Sequence, residues 1–129
     1  MEKEQLVLCD TNIIIEFYKE NATILEALKQ IGQENIVLSI VTSGELMYGA
    51  LNKKELNKIN QDLSHLKVLD IDKPTCEMFM KLMNKYSLSH NLTLGDGLIA
   101  ATAITHDLPL YTLNLKDFKY IEGVRLWNT

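Results

Sequence analysis

The sequence is poor in several residue types, and each shortage excludes a class of protein. It contains 2 cysteines, Cys9 and Cys76, neither of them in a C-x-x-C pair, so we expect two buried free thiols and no disulfide framework. Arg125 is the one arginine beside twelve lysines, and the formal net charge is -4, which excludes a broad basic surface for nucleic acid. Any RNA that this chain binds would need cations to offset the negative charge.

Long hydrophobic runs are also missing near the start of the chain. The first unbroken apolar run covers only residues 6–9, far short of a signal peptide or a membrane span, so we expect a cytoplasmic protein that binds no membrane. What the chain does contain is 47% hydrophobic and 23% charged residues over a length of 129. This composition and length predict one globular domain over 1–129.

Short apolar runs alternate with segments of helical periodicity along the whole chain. Because parallel strands need crossover connections, this alternation predicts an α/β sandwich with a mainly parallel sheet. Ligands of such sheets bind beyond the carboxyl ends of the strands. The predicted strands are 6–9, 36–41, 68–71, 109–112 and 124–127, and the predicted helices are 13–18, 24–31, 43–49, 53–66, 74–86, 93–104 and 114–118.

Polar residues at the predicted helix starts supply candidate caps. Asn12 precedes the first helix, Thr42 or Ser43 precedes the third, and Thr93 and Asn114 precede the last two. Each of these starts lies at or just after a predicted strand exit, or faces one. The helix starts are therefore expected to share one edge of the sheet.

An acid accompanies each of these four helix starts: Asp10, Glu45, Asp96 and Asp117. Taken singly, each acid could serve only as a cap, and both Thr42-x-x-Glu45 and Thr93-x-x-Asp96 have capping-box spacing. Four acids on one edge favour a site for a hard divalent cation, which several carboxylate oxygens bind well. Without the cation, the carboxylates should repel one another, raise at least one pKa and make the metal-free form less stable.

Four segments of the sequence, in order, resemble the motifs of PIN domains. They are LCDTNI at 8–13, SGELMYGA at 43–50, DGLIAATA at 96–103 and TLNLKDF at 112–118. The match runs over nearly the full chain and resembles the VapC type, the ribonuclease toxins of toxin–antitoxin pairs. The resemblance implies a three-layer α/β/α sandwich with a central, mainly parallel sheet.

The resemblance also implies an activity, a cofactor and partners. The activity is endoribonuclease cleavage of RNA phosphodiester bonds, which inhibits translation, with Mg²⁺ or Mn²⁺ as cofactor. The partners are the RNA substrate, a cognate antitoxin and a second copy in a homodimer. The implied metal ligands are Asp10, Glu45 and Asp96, with Asp117 as the fourth acid, and the implied supporting residues are Thr11, Asn12, Thr112 and Asn114.

Two other functions stay open at this point. One is a binding module with the same fold that has lost turnover. The other is phosphotransfer through Asp10 as an aspartyl nucleophile, as in haloacid dehalogenase-like phosphatases. Those phosphatases have a second aspartate two residues after the first, where this chain has Asn12.

Overall fold

The strands and helices of the protein alternate along the chain in the computed structural model, which describes residues 5–127. Within that range, none of the helices combines the length and hydrophobicity that a membrane-spanning segment requires. The strands are β1 (Val7–Cys9), β2 (Ile36–Ser39), β3 (Lys67–Leu69) and β4 (Leu110–Tyr111), and the helices are α1 (Thr11–Tyr18), α2 (Ala22–Ile31), α3 (Ile40–Tyr48), α4 (Lys53–Leu63), α5 (Lys73–His90), α6 (Leu94–Thr105) and α7 (Leu115–Phe118).

All pairings in the sheet are parallel, and the strand order is β3-β2-β1-β4. From β1 the chain therefore moves outward through β2 to β3, and then returns across the sheet to place β4 on the other side of β1. The direction of the crossovers reverses between β1 and β4, which makes this pair the topological switch point. In open parallel sheets, the crevice for ligands lies at the carboxyl ends of the strands at such a point.

The sheet separates two hydrophobic clusters, one on each face. Leu8 and Val37 contribute to a cluster with the apolar residues of α5, α6 and α7. Val7, Cys9 and Leu38 contribute to the cluster formed with α1, α2, α3 and α4. Neighbouring strand residues thus alternate between the faces, as the pleat of a strand requires. The predicted three-layer α/β/α sandwich with a parallel sheet is confirmed.

The predicted last strand, 124–127, is wrong as a strand. The structure has only an isolated parallel β-bridge in this segment, between Leu110 and Leu126. The bridge consists of the Leu110 N–H donating to Arg125 O and the Trp127 N–H donating to Leu110 O, both at 2.8 Å. Because β4 is only two residues long, it offers a partner no room for a longer ladder.

The two cysteines lie in different surroundings. Cys9 is buried as predicted, and burial, with a smaller contribution from the Asp10 charge, raises the pKa of its thiol to about 12. The prediction for Cys76 is wrong, because this thiol is exposed. The buried stripe of α5 runs through Thr75, Leu82 and Tyr86, and Cys76 is one position off that stripe.

The layer arrangement predicts unequal costs for the same substitution at two leucines. Leu8, 0% exposed in the central strand, contacts the α5–α6 side of the core, whereas Leu88 is 100% exposed. We expect Leu8→Ala to lower the free energy of unfolding by about 2–5 kcal/mol, because it leaves a cavity in the core. Leu88→Ala should change it by less than about 0.5 kcal/mol. Urea denaturation checks both values, and equal midpoints for the two variants would contradict the assigned core.

Candidate active site at the carboxyl edge of the sheet

Asp10 lies at the switch point, directly after β1, and is only 4% exposed. It occupies the N-cap position of α1, where its Oδ1 accepts a hydrogen bond from the Thr11 N–H at 2.8 Å. The prediction that Asn12 caps this helix is wrong, because α1 already begins at Thr11. The first predicted acid is therefore held at a buried helix start.

A second oxygen of Asp10 joins the two sides of the switch point. Its Oδ2 accepts from the Thr112 hydroxyl at 2.8 Å and lies 3.3 Å from Asn12 Nδ2. Asn12 Oδ1 accepts from the Leu113 N–H at 3.2 Å. Side chains that follow β1 thus bind groups that follow β4, and the buried carboxylate has partners on both of its oxygens.

The predicted supporting residue Asn114 contributes through its backbone. Its N–H donates to Thr112 Oγ1 at 3.0 Å, and its side chain makes no capping hydrogen bond to α7. The prediction that the Asn114 side chain caps this helix is therefore wrong. Thr112 accepts this bond while it donates to Asp10, so its hydroxyl has one defined orientation.

Helix α3, which carries Glu45, begins earlier than the sequence predicts. Ser39 is its N-cap and accepts from the Val41 N–H at 3.1 Å, so β2 ends at Ser39. The predicted cap at Thr42 or Ser43, and with it the capping-box role of Glu45, is wrong. Glu45 instead lies in the second turn of α3, where helix capping does not account for its charge.

The Glu45 carboxylate is bound by a hydroxyl from the neighbouring helix. Thr11 donates to Glu45 Oε1 at 2.6 Å and lies 3.1 Å from the hydroxyl of Thr42. A hydroxyl has one proton, and a carboxylate is the stronger acceptor, so the proton of Thr11 goes to Glu45, and the hydroxyl of the fully buried Thr42 is the weaker of its two acceptors. Thr11, a predicted supporting residue, thus positions Glu45 beside Asp10.

Asp96 lies in the first turn of α6, as predicted, and Thr93 is confirmed as the cap of this helix. Thr93 Oγ1 accepts from the Asp96 N–H at 3.3 Å. A methyl group added at Gly95 would lie 3.5 Å from Glu45 Oε2, which shows how close the start of α6 comes to the Glu45 carboxylate. Asp96 and Glu45 are therefore neighbours across two helices.

Asp117 is the third residue of the short helix α7 and is exposed. Its charge contributes to raising the pKa of Asp10, Asp96 and Tyr120. It is therefore close to the other acids, at the solvent side of the group.

Two of the four acids, Asp10 and Asp96, have a raised pKa, and the charges of the other acids contribute to the rise. Burial first, and then the charges of Asp10, Asp117 and Glu45, raise the pKa of Asp96 to about 6. Burial is also the largest cause that raises the pKa of Asp10, with additions from Glu45 and Asp117, although hydrogen bonds from Thr112 and Thr11 oppose it. The expected repulsion is thus present, and it identifies one shared region of negative potential.

The donor set of this region fits a hard cation. Over residues 5–127, no three acidic, histidine or cysteine side chains are grouped tightly enough to bind one metal ion as they stand. Mg²⁺ needs no such cage, since one or two carboxylates and several waters commonly bind it. All four side chains offer oxygen, and two of them have a pKa raised partly by their neighbours, which is the repulsion that a cation relieves.

The fold and this acidic edge define a known class of domain. The family model of the PIN domain matches residues 7–123, and the chain belongs to the PIN-domain family.

The more similar relatives are VapC proteins. The "Ribonuclease VapC" of Rickettsia bellii is 32% identical over 123 residues, which cover 89% of this chain and 90% of the relative. A toxin–antitoxin complex from Klebsiella pneumoniae contains a similar chain, with a TM-score of 0.78, 32% identity and coverage of 92% of this chain and 94% of that chain. DNA-bound VapBC from Salmonella typhimurium also contains a similar chain, with a TM-score of 0.82 and 25% identity. The match covers 95% of this chain and 96% of that chain. The resemblance to the VapC type is confirmed.

Sequence reasoning missed part of the surroundings of the acids. Thr42 was expected only as a cap, yet its buried hydroxyl meets Thr11 beside Glu45. Tyr120, whose pKa the charges of Asp96 and Asp117 help to raise, follows α7 and was not singled out. A signal for Thr42 was present, because it falls on the same face of α3 as Glu45 and Leu46, three and four residues later.

The raised pKa of Asp96 predicts how metal-free stability depends on pH. In the unfolded chain Asp96 titrates near 3.8 and in the folded chain near 6, so the folded state binds more protons in between and loses stability as pH rises through this window. Asn cannot ionise, so Asp96→Asn should gain stability relative to wild type between pH 4.5 and pH 7.5. Urea unfolding in EDTA at both pH values measures the gain.

The matched control is Asp70→Asn, at an exposed aspartate after β3. The difference in free energy of unfolding between Asp70→Asn and wild type should be the same at both pH values. An equally constant offset for Asp96→Asn would contradict the electrostatic description of the site.

Proposed function

We propose that this chain is a metal-dependent endoribonuclease that acts as the toxin of a toxin–antitoxin pair. The observation that carries the proposal is the buried Asp10 carboxylate at the switch point, close to Glu45, Asp96 and Asp117. The charges of Glu45 and Asp117 help to raise the pKa of both Asp10 and Asp96. The ribonuclease names of the VapC relatives support the same activity. RNA is the proposed substrate.

Asp10, Glu45 and Asp96 would hold the Mg²⁺ or Mn²⁺ ion, with Asp117 at the outer side. Such an ion offsets phosphate charge and activates water for phosphodiester hydrolysis. Thr112 and Asn12 fix the orientation of the Asp10 carboxylate, and Thr11 fixes that of Glu45. Burial and the neighbouring charges raise the pKa of Asp96 to about 6, so below that pH a cation that binds here would have to displace the Asp96 proton.

Replacing a proposed ligand by its amide removes charge while it keeps size. We expect Asp10→Asn and Asp96→Asn each to lower RNA cleavage at least about 100-fold, because even groups that only support metal ligands cost 10- to 100-fold when they are removed. The measurement is the cleavage rate of total RNA and of single-stranded oligonucleotides in Mg²⁺ or Mn²⁺. EDTA should abolish cleavage by the wild-type chain.

The control for cleavage is Asp70→Asn, which changes an exposed carboxylate by the same chemistry outside the acidic group. It should cleave within twofold of wild type. Wild-type activity in either Asp10→Asn or Asp96→Asn would contradict the proposed centre. Metal binding by calorimetry without cleavage under any condition would favour a PIN-like module that has lost turnover.

The proposed partners are a cognate antitoxin and a second copy of the chain. The antitoxin proposal is supported by the solved toxin–antitoxin complexes with similar chains. Large apolar side chains are exposed among the described residues, including Tyr48, Leu51 and Leu94, and a partner that binds over them would cover apolar surface. The homodimer proposal is supported by the family resemblance.

Toxicity supplies a test in living cells. Induced expression of the wild-type chain in bacteria should stop growth, because RNA cleavage would block translation. Asp96→Asn should restore growth at equal protein level, and Asp70→Asn should remain as toxic as wild type. Equal growth inhibition by all three chains would show that toxicity does not depend on the acidic site.

A further inference from the structure

An aromatic group lies at the end of α5, outside the acids described above. His90, the last residue of α5, is stacked on Tyr120, with ring centroids 4.0 Å apart and an angle of 9° between the planes. Tyr86 meets both rings edge-on, at 5.6 Å from His90 and 5.1 Å from Tyr120. The Tyr86 hydroxyl accepts from the Glu122 N–H at 3.2 Å, which fixes the chain that follows Tyr120.

This group is linked to the acids by short connections. From His90, residues 91–93 lead into α6, whose first turn carries Asp96. Tyr120 follows Asp117 by three residues. After burial, the charges of Asp96 and Asp117 are the next causes that raise the pKa of Tyr120. The stacked rings are therefore next to the acidic edge of the sheet.

The three rings differ in exposure from the core outward. Tyr86 is buried, Tyr120 is half-buried and His90 is exposed. One face of the imidazole rests on Tyr120, and the exposure of His90 leaves its other face to solvent. His90 Nδ1 lies 2.8 Å from the Ser89 hydroxyl, a contact that limits rotation of the ring.

Unpaired positive charge lies on the same side of the site. Lys116 and Lys119 flank Asp117 on α7 and at its end, both are exposed, and neither forms an ion pair within residues 5–127. A polyanion that reaches the acids from this side therefore meets two free ammonium groups. The flat aromatic surface and the lysines together match the two parts of a nucleotide, the base and the phosphate.

We propose that the stacked pair His90 and Tyr120 is a platform for one unpaired RNA base, which it holds beside the acidic site. Sequence-tolerant recognition of single-stranded RNA uses stacking of bases on His, Phe, Tyr or Trp rings, because every base has a π face. The open face of His90 is the stacking surface, and Tyr120 and Tyr86 hold it in place. The proposal deepens the ribonuclease function proposed above and rests on it for the identity of the polymer.

The alternative to base stacking is a purely structural role, in which His90 stabilises the end of α5 and its ring is not needed. A histidine in the last turn of a helix also interacts favourably with the helix dipole through its positive charge. Phe in place of His90 keeps a ring and removes the ring nitrogens, whereas Gln keeps a polar group and removes the ring. The two substitutions therefore separate stacking from helix stabilisation.

The test measures binding of a short single-stranded RNA that contains 2-aminopurine, a base whose fluorescence is quenched by stacking. All proteins carry Asp10→Asn in Mg²⁺ so that the probe stays intact. His90→Gln should weaken binding about tenfold, in the range found when a stacking aromatic is removed, and should abolish quenching. His90→Phe and Tyr120→Phe should each keep affinity and quenching within twofold of the Asp10→Asn parent. The matched control is His65→Gln, at an exposed histidine of the opposite layer, and it should bind and quench like that parent.

Each outcome decides the proposal separately from the nuclease function. Equal affinity and quenching in the background and in His90→Gln would overturn the platform, and so would the absence of any RNA binding. Loss of binding in His90→Phe as large as in His90→Gln would overturn it too. Cleavage of RNA by the chain with native Asp10 tests the nuclease independently, and His90→Gln in that chain should raise KM about tenfold with kcat within twofold.

Discussion

The buried carboxylate of Asp10 is the group on which the arrangement of the site depends. Burial of a carboxylate is costly unless hydrogen bonds compensate for the lost water. Here the compensation comes from both sides of the switch point, since Thr11 N–H and Asn12 follow β1 and Thr112 follows β4. The strand order that brings β4 beside β1 is therefore also the condition for tolerating this charge in the core.

Two opposing electrostatic effects act on Asp10 and Asp96, attraction to helix starts and repulsion by the neighbouring acids. The N-termini of α1 and α6 carry partial positive charge, which favours Asp10 and Asp96 at their starts. The repulsion wins in part, because the pKa of both carboxyl groups is raised, that of Asp96 to about 6. The cation proposed for this site would relieve that part of the penalty that comes from repulsion between the carboxylates.

Sequence reasoning succeeded where a signal was local. Asp10 ends an apolar run, and Thr93 precedes Asp96 by three residues, so strand end and cap are readable within a few positions. It failed at Ile40 and Val41, two β-branched residues that favour a strand, because the Ser39 hydroxyl accepts from the Val41 N–H and starts α3 there. Periodicity likewise failed to place Cys76, one position from the buried stripe of α5.

The contacts that sequence could not predict join residues far apart in the chain. Thr11 meets Thr42 and Glu45, and His90 meets Tyr120, through pairings that only the packed helices create. No spacing rule covers a separation of thirty residues, so these partners appear only once α1 packs against α3 and the segment after α7 packs against the end of α5. The acids can therefore be identified from the sequence with their likeness to other PIN domains, whereas the surface that would distinguish one RNA from another is built by tertiary structure. Chemistry and selectivity are in this sense encoded at different levels of the same fold.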